Sequence, residues 1–180
     1  MSATSADAAG DDASMVARLT ARFALQPHPE GGFYGETYRA PAAVTPVAGG
    51  AGATRAASTA IYFLITPGSV SRLHRIKSDE VWHFYLGGPM TVLELDPAGG
   101  GMRKTVLGQD VLAGQAVQHV VRAGTWFGSY PNDGSAFSFV GCTVAPGFEF
   151  EDFELASRQI LTARFPAHAE EIARLTEGLP

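Results

Sequence analysis

Short segments in which hydrophobic and polar residues alternate fill most of the chain between residues 33 and 145. Alternation of this kind places successive side chains on opposite faces of a β-strand. Turn-forming residues such as Pro67-Gly68 and Asn132-Asp133-Gly134 separate the segments, and this spacing is typical of an all-β sandwich or barrel. The predicted strands are 33–40, 58–66, 69–76, 80–86, 90–96, 102–107, 116–122, 125–130 and 136–145.

Helical spacing of hydrophobic residues occurs near the two ends of the chain. Val16, Leu19 and Phe23 lie three and four residues apart, which predicts a short helix over 14–25 that packs on the barrel. Towards the carboxyl end the same spacing predicts two further helices, interrupted by a proline that cannot supply the N–H of a helix interior. They are predicted over 157–165 and 167–175.

Size and composition fit a single domain. The 180 residues are 46% hydrophobic and 17% charged, which is enough for a sizeable core. Residues 1–13 are mostly Ala, Ser, Asp and Gly without the features of a signal peptide, so we expect a disordered tail over 1–13 and one domain over 14–180. No apolar run is long enough to span a membrane, and we therefore expect a cytoplasmic protein.

The net charge limits the classes of partner, and two single residues, Cys142 and Arg55, suggest roles of their own. A net charge of −5 without a cluster of Lys and Arg argues against nucleic acid or a membrane as a partner. Cys142 lies in an apolar run, which favours a buried structural thiol over a nucleophile. Segment 41–57 is rich in Pro, Ala and Gly and is predicted to be a mobile loop. Arg55 within it is expected to be a solvated surface residue, the alternative being contact with an anionic ligand.

His74 and Glu80 lie on neighbouring predicted strands that are joined by a polar turn. Strand alternation places His74 on one face with Ile76, and places Glu80 on the same face as Trp82 and Phe84, which is most simply an interior face. An interior carboxylate needs a partner, because an unpaired buried charge is costly. We therefore expect His74 to be the partner of Glu80.

The segment from Gly68 to Gly87 resembles the first sequence motif of the cupins. Gly68, His74, Glu80 and Gly87 fall on the motif spacing, and Ile76 stands where the motif has its second histidine. The resemblance implies an all-β, single-domain cupin jelly-roll β-barrel with a ligand in its mouth, here with a short N-terminal helix and C-terminal helical segments.

The second cupin motif is matched less completely. Gly124 fits it, Arg122 replaces a proline, Phe127 stands in the position of the third metal-binding histidine, and Asn132 comes one residue late. The missing histidines affect the cofactor that the resemblance would otherwise imply.

Two of the usual cupin metal ligands remain, His74 and Glu80, whereas catalytic metal sites normally have at least three protein ligands. We therefore expect no cofactor. The alternative is a divalent metal held by His74 and Glu80 together with a replacement ligand, His119 or Gln118.

Longer segments are similar to one cupin subgroup, DUF985 or cupin-5. They include HPEGGFYGETYR, SDEVWHFYLGGP and VGCTVAPGFEFEDFEL. The resemblance implies a homodimer and an interior pocket similar to those of the dTDP-sugar 3,5-epimerases (RmlC-like cupins) and the plant seed-storage cupins, but it does not supply an activity.

Residue chemistry gives a functional hypothesis. A histidine oriented by a carboxylate is a ready general base for removing a proton next to a carbonyl. Sugar epimerases also need a tyrosine or similar acid on the opposite side of the ring. The predicted catalytic residues are His74, Glu80 and Tyr62. The predicted ligand-binding residues, which could reach the barrel mouth or form its walls, are Tyr34, Glu36, Trp82, Phe84, His119, Trp126 and Phe127.

Three functions remain open at this point. The first is a metal-independent epimerase or isomerase of a sugar, a nucleotide sugar or a related carbonyl compound. The second is a non-catalytic binder of a small molecule, in which His74 and Glu80 are only a satisfied polar pair. The third is a metal-dependent dioxygenase or decarboxylase, against which Ile76 and Phe127 argue. In each case the expected partners are a small-molecule ligand and a second copy of the chain.

Overall fold

Two antiparallel sheets form the body of the protein, and the computed structural model describes residues 5–46, 54–96 and 101–177. Strands are numbered along the chain. The larger sheet contains, in spatial order, β1 (Gln26–Pro27), β2 (Phe33–Arg39), β5 (Thr59–Ile65), β12 (Ser138–Ala145), β7 (Asp79–Gly87) and β10 (Gln118–Val121). The smaller sheet contains β13 (Glu154–Leu155), β6 (Ser71–Arg75), β11 (Trp126–Pro131), β8 (Met90–Leu95) and β9 (Met102–Leu107). A separate pair contains β3 (Ala43–Val44) and β4 (Arg55–Ala56).

The nine strands predicted from alternation are all present, with ends within about two residues of the predicted ones. Their inward-facing side chains meet between the sheets, as the period of two requires. The resulting core contains Phe63, Ile65, Trp82, Phe84, Met90, Val92, Leu107, Val121, Phe127, Val140 and Cys142. The predicted all-β jelly-roll architecture with helices at both ends is thereby confirmed.

Helices cover the outer faces of both sheets. Helix α1 (Ser5–Arg22) packs on the larger sheet through Val16 and Leu19, and Phe23 directly after the helix joins the same cluster. Helices α2 (Arg158–Arg164) and α3 (Ala169–Leu175) cover the smaller sheet. The side chains that they bury are Leu161, Phe165, Ile172 and Leu175. Burial of one such side chain is worth about 2 kcal/mol, so these short helices are held mainly by the sheet beneath them. Single 3₁₀ turns occur at Val111–Ala113, Phe150–Asp152 and Pro166–His168.

The N-terminal helix differs from its predicted bounds. It begins at Ser5, so residues 5–13 of the predicted disordered tail are helical, and residues 1–4 lie outside the described residues. This segment is rich in alanine, which has the highest helix propensity of the amino acids. The low hydrophobicity of the segment favoured the prediction of disorder instead. Within the described ranges no helix has the length and apolar character needed to cross a bilayer.

Arg55 corrects the expectation of a solvated surface arginine. Its side chain is buried, its Nε donates to Asp152 Oδ2 at 2.7 Å, and its Nη2 donates to Glu151. The prediction is wrong because an acidic segment more than ninety residues away in sequence supplies the carboxylates. The middle of the predicted mobile loop, residues 47–53, lies outside the described residues.

Candidate functional site

A cavity of about 150 Å³ lies inside the barrel, between the two sheets. Its polar lining residues are His28, Glu30, Tyr34, Glu36, Arg39, Thr59, His74, Glu80, Cys142 and Glu149. Its apolar lining residues are Ile61, Phe63, Ile76, Val144, Phe148 and Phe150. A space of this size takes a molecule as large as benzene. Ligand pockets commonly combine apolar walls with a few converging polar groups in this way.

The loop before β2 brings His28 and Glu30 into the cavity. The loop closes on itself, with His28 N donating to Gly32 O at 3.0 Å and Gly31 N donating to His28 O at 2.9 Å. Gly31 has a φ of +110°, and a Cβ at this position would collide with the carbonyl oxygen of Val70. The chain therefore needs glycine here in order to pass close to β6.

Glu30 and His74 are in direct contact on the cavity wall. His74 Nε2 lies 3.2 Å from Glu30 Oε2, and Ser71 Oγ donates to Glu30 Oε1 at 2.9 Å. His74 Nδ1 lies 2.7 Å from Arg72 O. A carbonyl oxygen only accepts, so Nδ1 carries a hydrogen and Nε2 is left to share one proton with Glu30.

Electrostatics favour the neutral form of this pair. Burial lowers the pKa of His74, although the charge of Glu80 opposes the effect. Burial raises the pKa of Glu30 more than the neighbouring His28 and Ser71 lower it. The two directions agree, and the shared proton is best placed on Glu30, which donates it to the neutral His74 ring.

Glu80 faces the same cavity from β7. Burial raises its pKa to about 7, with the charge of Glu30 acting in the same direction and that of His74 opposing it. The Cys142 thiol hydrogen-bonds to Glu80, and burial raises the pKa of Cys142. Cys142 is therefore a buried thiol and not a thiolate nucleophile. A carboxyl group with a pKa near 7 changes its charge at physiological pH.

His74 thus has a different direct partner from the predicted one. Sequence alternation correctly placed His74, Ile76 and Glu80 at one cavity. The carboxyl group that His74 contacts, however, is Glu30, and Glu80 acts on His74 through its charge.

His28 completes the polar end of the cavity. Its Nδ1 accepts from Glu30 N at 3.3 Å and lies 3.5 Å from Glu30 Oε2. Burial lowers the pKa of His28, and the edge of the ring meets Tyr34 with centroids 4.7 Å apart. His28 is therefore a neutral side chain held in place by the loop and by an aromatic neighbour.

Residues 148–153 form a roof over this end of the barrel. Phe148 and Phe150 line the cavity, and the ring of Phe153 lies 5.2 Å from that of His74. Several acidic side chains of the segment are in ion pairs. Glu149 pairs with Arg39 at 2.6 Å, and Asp152 pairs with Lys77 at 2.9 Å as well as with Arg55.

Several predicted site residues lie at or beside the cavity. Tyr34 and Glu36 line it together with His74 and Glu80. Phe127 is buried behind His74, with ring centroids 4.1 Å apart. Trp82 and Phe84 belong to the core between the sheets and are not among the lining residues.

Three predicted site residues are not brought to the cavity. Tyr62 points to the outer face of β5, among Phe23 and Phe139, because its neighbours Ile61 and Phe63 point inward. Trp126 faces the C-terminal helices. His119 lies in a separate cluster, with its Nε2 2.7 Å from Glu94 Oε2.

Sequence reasoning left out His28, Glu30, Arg39 and the roof. The segment from Gln26 to Gly32 contains two prolines and two glycines, which is typical of a shaped loop, and its histidine and glutamate were the available signal. Their position depends on the contact between the loop and β6, through Arg72 N donating to Glu30 O at 2.8 Å. No local pattern encodes that contact.

The residues of the cavity do not fit the metal centre known from cupins. Ile76 lines the cavity and Phe127 packs against His74, so the two motif positions that would supply further histidines carry no ligand atom. Within the three described ranges, no group of three or more His, Cys, Asp or Glu side chains is placed to hold a metal ion. His119, considered as a replacement ligand, is bound to Glu94 instead.

Three known proteins are similar to this chain in sequence, and two of them also in fold. Protein SO0799 of Shewanella oneidensis is 39% identical with a TM-score of 0.78, over 87% of this chain and 94% of that one. A hypothetical protein from Leishmania major is 36% identical with a TM-score of 0.78, over 87% and 95%. The uncharacterized protein YML079W of Saccharomyces cerevisiae is 33% identical over 150 residues, which are 77% of this chain and 74% of the yeast protein.

More distant structures show the fold alone. Oxalate decarboxylase of Bacillus subtilis has a TM-score of 0.52 at 14% identity, over 86% of this chain and 37% of that one. Residues 17–156 match the family model described as cupin superfamily (DUF985). With the two antiparallel sheets and the cavity between them, this match shows that the chain belongs to the DUF985 family of the cupin superfamily.

Proposed function

We propose that this cupin is a metal-independent isomerase or epimerase that moves a proton on a small carbonyl compound, such as a sugar, inside the cavity. The observation that carries the proposal is the pairing of two kinds of acid–base group in one enclosed space. Glu80 has a pKa of about 7, and the Glu30–His74 pair, in contact at 3.2 Å, holds a proton.

These groups supply one base and one acid. With Glu80 ionised, its carboxylate takes the proton from the carbon next to the carbonyl. The Glu30–His74 pair donates its proton to the carbonyl oxygen, which gives an enol. The reverse transfers return one proton to carbon and one to the pair, so every proton is accounted for. In isomerisation, Glu80 returns the proton to the neighbouring carbon, and the Glu30–His74 pair takes back a proton from the hydroxyl group of the carbon that first lost its proton. In epimerisation, the enol turns over in the cavity and Glu80 returns the proton to the other face of the same carbon.

The size of the cavity limits the substrate. A volume of about 150 Å³ lies below the range of roughly 300–1,000 Å³ that is typical of pockets for drug-sized ligands. A whole nucleotide sugar therefore exceeds the enclosed space. A small carbonyl compound, or the reacting end of a larger one whose remainder passes the mouth at Arg39 and Glu149, is the better match.

Solvent exchange tests the proposal. The protein is incubated in deuterated water with a panel of small aldoses and ketoses, and deuterium at carbon is measured by NMR. We expect incorporation with the unaltered protein and a loss of about 100-fold or more with Glu80→Gln. Tyr62→Phe, which changes a side chain outside the cavity, is the control and should exchange at the unaltered rate.

The alternatives predict other results. A non-catalytic binder would bind a member of the panel without exchange, and this outcome would replace the isomerase proposal. A metal-dependent dioxygenase or decarboxylase would show activity only with added metal, but the donor set described above argues against it.

We also propose that the protein forms a homodimer through the edge of the larger sheet at β10. The supporting observation is a group of exposed apolar side chains in the segment that leads into β10, namely Val111 and Leu112 in a 3₁₀ turn and Val117 directly before the strand. Leu112 is 98% exposed, and proteins commonly cover an apolar sheet edge of this kind.

A further inference from the structure

We infer that the ligand of the barrel cavity carries a positive charge, as a small organic ammonium ion. This inference rests on the proposed function only for the location of the ligand, and it specifies the chemical class that the cavity takes. If the proposed reaction takes place in this cavity, its substrate is therefore a small carbonyl compound that bears an amino group.

The charged groups around the cavity are mostly acidic. Four carboxyl groups line it, from Glu30, Glu36, Glu80 and Glu149, against one guanidinium, from Arg39. Arg39 donates from Nε and Nη2 to Glu36, at 3.1 and 2.8 Å, and from Nη1 to Glu149 at 2.6 Å. The guanidinium of Arg39 is thus already paired with two carboxylates. An anionic ligand would have to displace them in order to bind Arg39.

Two other carboxylates with little exposure, Glu94 and Asp152, have cationic partners. Glu94 is 4% exposed and accepts from Arg103 at 2.8 and 2.9 Å. Asp152 is paired with Arg55 and Lys77. Burial raises the pKa of Glu94, but the hydrogen bonds with His119 and Arg103 together lower it below the ordinary value. Arg55 and Lys77 lower the pKa of Asp152 in the same way.

Glu30 and Glu80 are equally buried but lack such partners. They are 7% and 8% exposed, and in the described part of the chain no lysine or arginine forms an ion pair with either of them. Their basic neighbours are the neutral rings of His28 and His74. Burial without a cation favours the protonated form of both carboxyl groups, in agreement with the raised pKa values of Glu30 and Glu80. A cationic ligand would stabilise the ionised form instead, as Arg103 does for Glu94.

Aromatic rings complete the arrangement. Tyr34, Phe63, Phe148 and Phe150 line the same cavity. The face of an aromatic ring attracts a cation, and the attraction is worth about 2 kcal/mol when both are removed from water. Carboxylates together with aromatic faces suit an organic ammonium ion. A metal ion would need converging donor atoms, which this cavity does not provide among the described residues.

Probes of one shape and different charge test the inference. Choline is compared with its uncharged isostere 3,3-dimethyl-1-butanol and with the anion 3,3-dimethylbutanoate, by calorimetric titration of the full-length protein. For primary amines, n-butylamine is compared with 1-butanol. We expect at least one cation to bind on the order of 10-fold or more tightly than its uncharged counterpart, and the anion to bind more weakly than both.

Variants locate the effect. Glu80→Gln keeps the shape of the side chain and should weaken the bound cation about 10-fold, while the affinity for the uncharged isostere stays within about twofold. Glu154→Gln makes the same chemical change at a half-exposed ion pair with Arg75 outside the cavity and should leave both affinities unchanged. Circular dichroism confirms that the variants are folded.

Three outcomes would overturn the inference: binding of uncharged and cationic probes with equal affinity, no binding of any probe, or stoichiometric binding of Mn²⁺ that is lost in Glu80→Gln. The readout is binding, so it is separate from catalysis. Cation binding without deuterium exchange would retain the inference and reject the isomerase. Deuterium exchange into uncharged sugars without cation binding would retain the isomerase and reject the inference of a cationic ligand.

Discussion

Glu80 shows how the burial of one residue couples stability to pH. The pKa of Glu80 in the folded protein is about 7, against 4.5 for an ordinary glutamate. The folded state therefore holds the proton more tightly than the unfolded state does. The favourable contribution of the protonated side chain is fully present below about pH 4.5 and is lost as the pH rises to about 7.

Replacing Glu80 with glutamine should remove this loss. The free energy of unfolding of Glu80→Gln, relative to the unaltered protein, should rise by roughly 3 kcal/mol between pH 4.5 and pH 8, the equivalent of the pKa shift. Urea unfolding at the two pH values measures the change. Glu154→Gln, at a half-exposed position, is the control and should show little pH dependence. An equal effect of Glu80→Gln at both pH values would contradict the pKa of about 7.

At the scale of single elements, strands and loops differed in how well they could be predicted. Strand β7 was predicted from alternation, and its buried residues Glu80, Trp82 and Phe84 are those expected to face inward. The loop that carries His28 and Glu30 has no period. Its course depends on glycine backbone angles and on contacts with β6, which lies about forty residues further along the chain.

This loop can be tested at Gly31. Alanine there would have to adopt a φ of +110° and would collide with the carbonyl oxygen of Val70. We expect Gly31→Ala to lower the free energy of unfolding by about 2 kcal/mol or more, and to reduce deuterium exchange by displacing Glu30. Gly134→Ala is the matched control. Gly134 has a φ of +82° but no heavy atom of the described residues within 4 Å of the added Cβ, so it should cost only about 1 kcal/mol. Equal losses for the two variants would show that the collision at Gly31 is relieved.

At the scale of the whole molecule, the fold could be predicted because two signals agreed. Alternation gave the strands, and Gly68, His74, Glu80 and Gly87 gave the cupin motif. An interior pocket was expected from the resemblance, but its full lining could not be predicted, because the lining residues come from distant segments. Arg39 and Glu149, for example, are 110 residues apart in sequence and meet at 2.6 Å. Such contacts follow from the order in which the strands pair. The order β2, β5, β12 and β7 cannot be determined from the sequence of any one strand.

The same sheet order leaves β10 at an edge, which leads to the prediction about assembly. β10 is the last strand of the larger sheet in the described chain, and Leu112, in the 3₁₀ turn that precedes this strand in sequence, is 98% exposed. If a second copy covers this edge, the unaltered protein should have the mass of a dimer by light scattering at micromolar concentration. Leu112→Glu should then shift it to a monomer, because a charge would be buried without a partner.

Ile160→Glu is the control for this prediction. Ile160 is an apolar residue of α2 that is 67% exposed and away from β10, and its replacement should leave the dimer intact. A monomeric unaltered protein would reject the dimer, and a dimer that survives Leu112→Glu but not Ile160→Glu would place the interface on the C-terminal helices.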